Sequence, residues 1–348
     1  MRQQYPTIIR HTISVMLIIA CGLNVCCPAA SQASDKKIQA INSSPPESNT
    51  HLFYDYAVEH KKLPSTDDLK GSYRSYTLFI PQRDSALPKP PFPVAVLIPG
   101  FLCSGAQMRN NAEYLVKRGF IVITPNLSRI LLFDKHRIHN VQTVLDEITW
   151  LTEQGKIPGG ALEGMVDPNR VALLGHSFGG SACIEVLLEA QKANIPIHTF
   201  VSNDTVPWRR SIGRMSSITP VDILSLRAQP ALCNEYGIVL RYLRRLNFPY
   251  EDIVVKGSGH CDGENPPKAW CLCACLGPSR KKHRDMFQLL TYLYFRDSLK
   301  APALWSPTAS FAQISQLLEG KGKITTKWHT PDNTLVQTTS ITAGVSHQ

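Results

Sequence analysis

The segment "RVALLGHSFGGSACIEVL" (170–187) constrains this chain more than any other. A short apolar run, 171–174, stops at Gly175, and a run with helical spacing begins just past Ser177. The first reads as a buried strand and the second as a helix. Between them stands Gly175-His176-Ser177-Phe178-Gly179, a G-x-S-x-G pattern. A serine at such a junction sits on a tight, strained turn that lifts its hydroxyl above the sheet. Side chains in place of the flanking glycines would strike the neighbouring strand and helix. The following helix aims its N-terminus at the hydroxyl and favours developing negative charge there. Ser177 is therefore expected to be a nucleophile.

The rest of the chain alternates in the same manner. Strands are expected at 72–82, 91–100, 120–126, 170–174, 197–203, 221–227 and 251–257. Helices are expected at 106–119, 138–155, from the serine to about Lys192, at 235–246 and at 280–299. Strands alternating with helices predict an α/β fold: a mostly parallel central sheet with helices on both faces. Residues 34–70 are polar and contain "SSPPES" (43–48), which reads as a linker or extension. Residues 301–348 are the least regular, with "FAQISQLLEG" expected as a helix ahead of an irregular tail.

The N-terminus has the form of an export signal. Arg2 and Arg10 precede the apolar "ISVMLIIACGLNV" (13–25), and "AASQA" (29–33) offers small residues for cleavage after Ala33. The apolar stretch is short for a membrane span. Within it "LIIAC" (17–21) resembles a lipoprotein box, which would instead make Cys21 a lipidated terminus. Either route places the mature protein outside the cytoplasm, in the periplasm or secreted, where disulfides persist. Three of the ten cysteines fall in this leader, leaving Cys103, Cys183, Cys233, Cys261, Cys271, Cys273 and Cys275. The run "HCDGENPPKAWCLCAC" (260–275) lacks the paired Cys-x-x-Cys knuckles of structural zinc, so disulfides rather than metal are expected there.

The net charge is +10, of which the two leader arginines account for 2, leaving +8 for the remainder. Basic clusters occur at 208–214, 241–246 and 279–284. They suit a solvated surface or peripheral contact with an anionic or membrane surface. No nucleic-acid-binding motif accompanies them, so nucleic acid is not an expected partner. A monomer is expected.

A serine hydroxyl needs a base to take its proton. His260, in "VVKGSGHCD", follows the last expected strand and lies downstream of the serine, as the order Ser…acid…His requires. His51, His60, His136 and His139 precede the serine and break that order, while His198 and His283 lie on a strand and a helix. His176 adjoins the serine, but adjacent side chains at such a turn diverge. Two carboxylates compete to orient the base: Asp204, after the strand that follows the nucleophile, and Glu235, after the next one. Asp222 falls at a strand start, and Asp262 is too close to His260 to orient it easily. An oxyanion hole needs two converging N–H groups. Phe178 would supply one and Phe101, in "PGFLCSG" (99–105), the other.

The order of these parts resembles the α/β-hydrolase fold. "PVAVLIPGF", "GFIVITPN", "GHSFGG" and "GHCD" resemble the branch that holds chlorophyllases, platelet-activating-factor acetylhydrolases and cutinase-like polyester hydrolases, over roughly residues 72–298. "ND" followed by "VPW" resembles the segment that carries the acid in the first two groups, which implies Asp204. Polyester hydrolases carry it after the next strand, where this chain has only Glu235. The resemblance implies a catalytic domain at 71–300, no metal or organic cofactor, and a serine carboxylic-ester hydrolase acting through an acyl-enzyme on a small-molecule, lipid or polymer ester. A thioesterase, an acyltransferase or a peptidase would use the same parts, and a non-catalytic binding protein could share the fold. The apolar "SRILLF" (128–133) suits a wall for a lipid or polymer chain.

Overall fold

Strands apolar on both faces need cover on both sides, and this chain provides it by interleaving helices. The computed structural model describes residues 53–63, 74–84, 87–127, 134–275, 279–301, 309–331 and 335–336. The expected leader, the "SSPPES" linker, the "SRILLF" wall and the end of the tail lie outside the described residues.

Among the described residues, ten strands form one sheet: β1 (Tyr56–Leu63), β2 (Arg74–Pro81), β3 (Phe92–Ile98), β4 (Ile121–Asn126), β5 (Val166–His176), β6 (Thr199–Asn203), β7 (Asp222–Arg227), β8 (Tyr250–Val255), β9 (Ile324–His329) and β10 (Leu335–Val336). Their spatial order is β1-β2-β4-β3-β5-β6-β7-β8-β9-β10. The six strands from β4 to β8 run parallel, and the outer pairings are antiparallel. The helices are α1 (Arg109–Val116), α2 (Asp134–Gln154), α3 (Phe178–Lys192), α4 (Val239–Leu243), α5 (Ala269–Ala274), α6 (Lys281–Ser298) and α7 (Phe311–Gly320).

The pleat divides the core in two. Val94, Val96 and Ile98 of β3 pack with Val144, Ile148 and Leu151 of α2 and Ile184, Val186 and Leu187 of α3. Their neighbours Ala95 and Leu97 turn to the other face and pack with Leu115 of α1 and Leu290 and Leu293 of α6. Successive residues on a strand face opposite ways, so one apolar run serves both layers.

The sheet runs past the expected limits of 71–300. β1 pairs with β2 along its whole length, and β9 pairs with β8. "YAVEHKKL" and "ITTKWH" lie toward the two ends of the sheet and expose polar or charged residues such as His60, Lys62 and Lys327 to water. Such strands carry no continuous apolar run and leave little trace in a hydrophobicity pattern. Their existence depends on the ladder beside them.

Candidate active site

The parallel strands end at one edge, and the loops leaving β3, β5, β6 and β8 meet there. Ser177 directly follows β5, with φ 53° and ψ −124°. A non-glycine residue rarely adopts this conformation, and the surroundings must hold it. They do so through backbone contacts: Ser177 N–H donates to Asn203 O (3.1 Å), and Ser177 O accepts from Val206 N–H (3.1 Å). The two flanking glycines are required by space. A Cβ at Gly175 would lie 2.5 Å from the carbonyl oxygen of Gly179, and one at Gly179 would lie 2.4 Å from those of Ile98 and Pro99.

His260 begins a short 3₁₀ turn, His260–Gly263, beyond β8. Its Nε2 lies 3.0 Å from Ser177 Oγ, and its Nδ1 lies 2.6 Å from Asp204 Oδ2. The three side chains are 6%, 6% and 1% exposed for Ser177, His260 and Asp204. Water therefore barely competes for these hydrogen bonds. The structure thus brings together the serine, histidine and aspartate named from the sequence, although 56 residues separate Asp204 from His260.

Asp204 is held from several directions. Its Oδ1 accepts from Ala228 N–H at 3.0 Å, and both carboxylate oxygens lie 3.2 Å from Asn234 Nδ2. Asn234 is itself fixed: its Oδ1 accepts from Ala231 N–H at 2.8 Å, and its Nδ2 donates to Gln229 O at 2.9 Å. Sequence reasoning gave Asn234 no role at the site. Glu235 is exposed, with φ 46°, and His260 Nδ1 faces Asp204 instead. Asp262 serves the loop, accepting from Gly259 N–H (2.9 Å), Ser279 Oγ (2.7 Å) and Arg280 N–H (2.7 Å) and facing His283 Nδ1 (3.2 Å). Asp222, at the start of β7, accepts from Ser298 Oγ.

Phe101 lies in the loop after β3, and Phe178 opens α3, with ring centroids 5.7 Å apart. The backbone comes close here: a Cβ on Gly100 would sit 3.2 Å from Ser177 Cβ. The expected oxyanion segment therefore lies against the serine.

Two disulfides brace these loops. Cys261, next to His260, is bonded to Cys271, and Cys233, next to Asn234, is bonded to Cys275. The cysteine-rich run forms disulfides as expected, while Cys103 and Cys183 are buried elsewhere in the fold and the Cys273 side chain lies outside the described set. Of the basic clusters, Arg214 is tied to Glu185 and to Glu189 (2.8 Å), whereas Arg241, Arg244, Arg280 and Lys281 are exposed.

A family model described as chlorophyllase matches residues 55–229, half of the chain. The chain belongs to the chlorophyllase family. Membership makes it an α/β-hydrolase-fold serine esterase of the chlorophyllase-like branch, in keeping with the mostly parallel sheet and its two helical layers. The matched span includes Ser177 and Asp204, while His260 and its disulfide-bonded loop lie beyond it. No individual curated protein matches the chain significantly.

Proposed function

We propose that this chlorophyllase-family protein is an exported carboxylic-ester hydrolase with Ser177, His260 and Asp204 as its catalytic triad. The observation that carries the reading is the unbroken chain from Ser177 Oγ to His260 Nε2 (3.0 Å) and from His260 Nδ1 to Asp204 Oδ2 (2.6 Å). Ser177 Oγ attacks the ester carbonyl carbon while its proton passes to His260 Nε2. Asp204 holds Nδ1–H, which leaves Nε2 free to accept, and stabilises the imidazolium that forms. The N–H groups of Phe101 and Phe178 receive the oxyanion, assisted by the N-terminus of α3. His260 then returns the proton to the leaving alcohol oxygen as the C–O bond breaks. Water, deprotonated by the same nitrogen, attacks the acyl-enzyme and frees the acid and Ser177.

Export is supported by the leader and by two disulfides, which suit an oxidising compartment. A fluorophosphonate probe tests the chemistry. Wild type is expected to be labelled and to hydrolyse p-nitrophenyl butyrate, and Ser177→Ala is expected to lose both. A folded wild type that is not labelled refutes the reading. Mass analysis of the mature N-terminus separates cleavage after Ala33 from lipidation at Cys21.

A further inference from the structure

Four residues beyond His260, Glu264 buries a carboxylate that the reaction above does not use. It faces His176, the residue before the nucleophile, and the two side chains are 2% and 1% exposed. The His176 and His260 rings lie 4.7 Å apart, tilted by 38°. His176 Nε2 is 2.9 Å from the carbonyl oxygen of His260. A carbonyl only accepts, so Nε2 carries a hydrogen. His176 Nδ1 faces Glu264 Oε1 at 3.4 Å. If the imidazole were neutral, its Nδ1 lone pair would point at a carboxylate oxygen 3.4 Å away in a site shielded from solvent. Two buried acceptors left face to face are costly. One proton therefore belongs between them.

The same carboxylate reaches two more elements. Cys103 Sγ–H donates to Oε1 at 3.0 Å, and Lys268 N–H donates to Oε2 at 3.2 Å. Lys268 Nζ in turn donates to Leu102 O at 2.6 Å. One side chain thus links the loop bearing Phe101, the nucleophile turn and the His260 turn.

We propose that Glu264 is a positioning residue that, with His176 held as an imidazolium, locks the His260 turn against the oxyanion loop. This inference rests on the esterase reading and deepens it. The charge directions agree with the geometry. Burial opposes a charge on His176, but Glu264 outweighs it, helped by Asp204, and holds the imidazole above its ordinary range. Burial likewise opposes ionisation of Glu264, yet His176, the Cys103 thiol and the Lys268 amide keep its carboxyl below the ordinary range. The groups facing the pair are Asp204 and His260 from the catalytic side, Cys103 from the loop after β3, and Lys268 ahead of α5. A histidine raised in this way contributes its ion pair fully at low pH and loses it as pH rises through its folded pKa. Above that point lone pair meets carboxylate, the lock loosens, and turnover falls.

Glutamine separates this role from simple filling of space. In Glu264→Gln the amide nitrogen donates one hydrogen to His176 Nδ1 and the other to Cys103 Sγ, while the amide oxygen accepts from Lys268 N–H. The lock then closes without a titrating proton. Steady-state kinetics with p-nitrophenyl butyrate from about pH 6 to about pH 10 read the difference. Glu264→Ala is expected to lower kcat by about 10- to 100-fold with KM changed less than about twofold, since misplacement of reacting groups acts on the chemical step. Glu264→Gln is expected to keep most of the wild-type kcat near neutrality and to lose the alkaline decline caused by His176. Wild-type kcat in Glu264→Ala, or an unchanged alkaline decline in Glu264→Gln, overturns the proposal. If Glu264→Ala does not unfold cooperatively, the glutamine profile decides alone. If wild type neither turns over ester nor reacts with fluorophosphonate, the esterase reading falls. The lock is then judged by ¹⁵N resonances of the His176 ring: a midpoint above the ordinary histidine value, lowered in Glu264→Gln, supports it, and an ordinary midpoint overturns it.

Discussion

Asp204→Asn isolates what the carboxylate does while hardly changing its shape. Ala228 N–H can only donate, and it points at Oδ1. The new amide must therefore keep its oxygen there and place its NH₂ where Oδ2 was, 2.6 Å from His260 Nδ1. That NH₂ donates to Nδ1, which pushes the imidazole proton onto Nε2. His260 then offers Ser177 Oγ a hydrogen instead of a lone pair, and the serine proton has no acceptor. A triad trapped in the wrong tautomer loses about 10⁴-fold in kcat, equivalent to about 5.4 kcal/mol of transition-state stabilisation. The same NH₂ also faces Asn234 Nδ2, now 3.2 Å away with donor opposed to donor. Folding stability should consequently fall by about 1–3 kcal/mol. Both effects are read by kcat on p-nitrophenyl butyrate and by thermal unfolding, with Glu235→Gln measured in parallel. Glu235 is exposed and His260 Nδ1 is engaged by Asp204, so the Glu235 variant should keep wild-type kcat. If Glu235→Gln abolishes turnover while Asp204→Asn keeps more than about a tenth of it, the assignment of the acid is wrong.

Reduction should weaken both the site and the fold. Cys261–Cys271 closes a loop of sequence separation 10 and Cys233–Cys275 one of 42, for which loop-closure entropy gives about 3 and about 4 kcal/mol. Dithiothreitol is expected to lower both the Tm and kcat, because the bonded cysteines adjoin His260 and Asn234; unchanged values after thiol counting confirms reduction would refute this. A second prediction concerns Glu251 on β8, whose carboxyl is pushed up to about 7 by burial and by Asp222. A raised acid favours the protonated folded state, so wild type loses stability as pH climbs from the ordinary carboxylate range to about 7. Glu251→Gln should match wild type near pH 5 and exceed it near pH 8 by at most about 3 kcal/mol, less wherever water screens the group. A Tm difference independent of pH would contradict the assignment.

The sequence by itself determined the features whose causes are local. Gly175 is demanded by backbone approach within one strand-turn-helix unit, which made the nucleophile turn legible in "GHSFGG", whereas the space Gly179 leaves is taken by the carbonyls of Ile98 and Pro99 from the neighbouring strand and its loop. The central strands were legible because helices on both faces make them apolar throughout. His260 followed from chain order. The outer strands β1 and β9 were not legible, because several of their polar residues meet water and their pairing partners, not their composition, make them strands. The choice between Asp204 and Glu235 rested on resemblance alone until the fold set the end of β6 beside the His260 turn and left Glu235 in solvent. Nothing in the sequence assigned Asn234 or Glu264 a role. Their partners Asp204 and His176 lie 30 and 88 residues away along the chain, and a hydrogen bond between such distant residues exists only once the sheet has brought its loops to one edge.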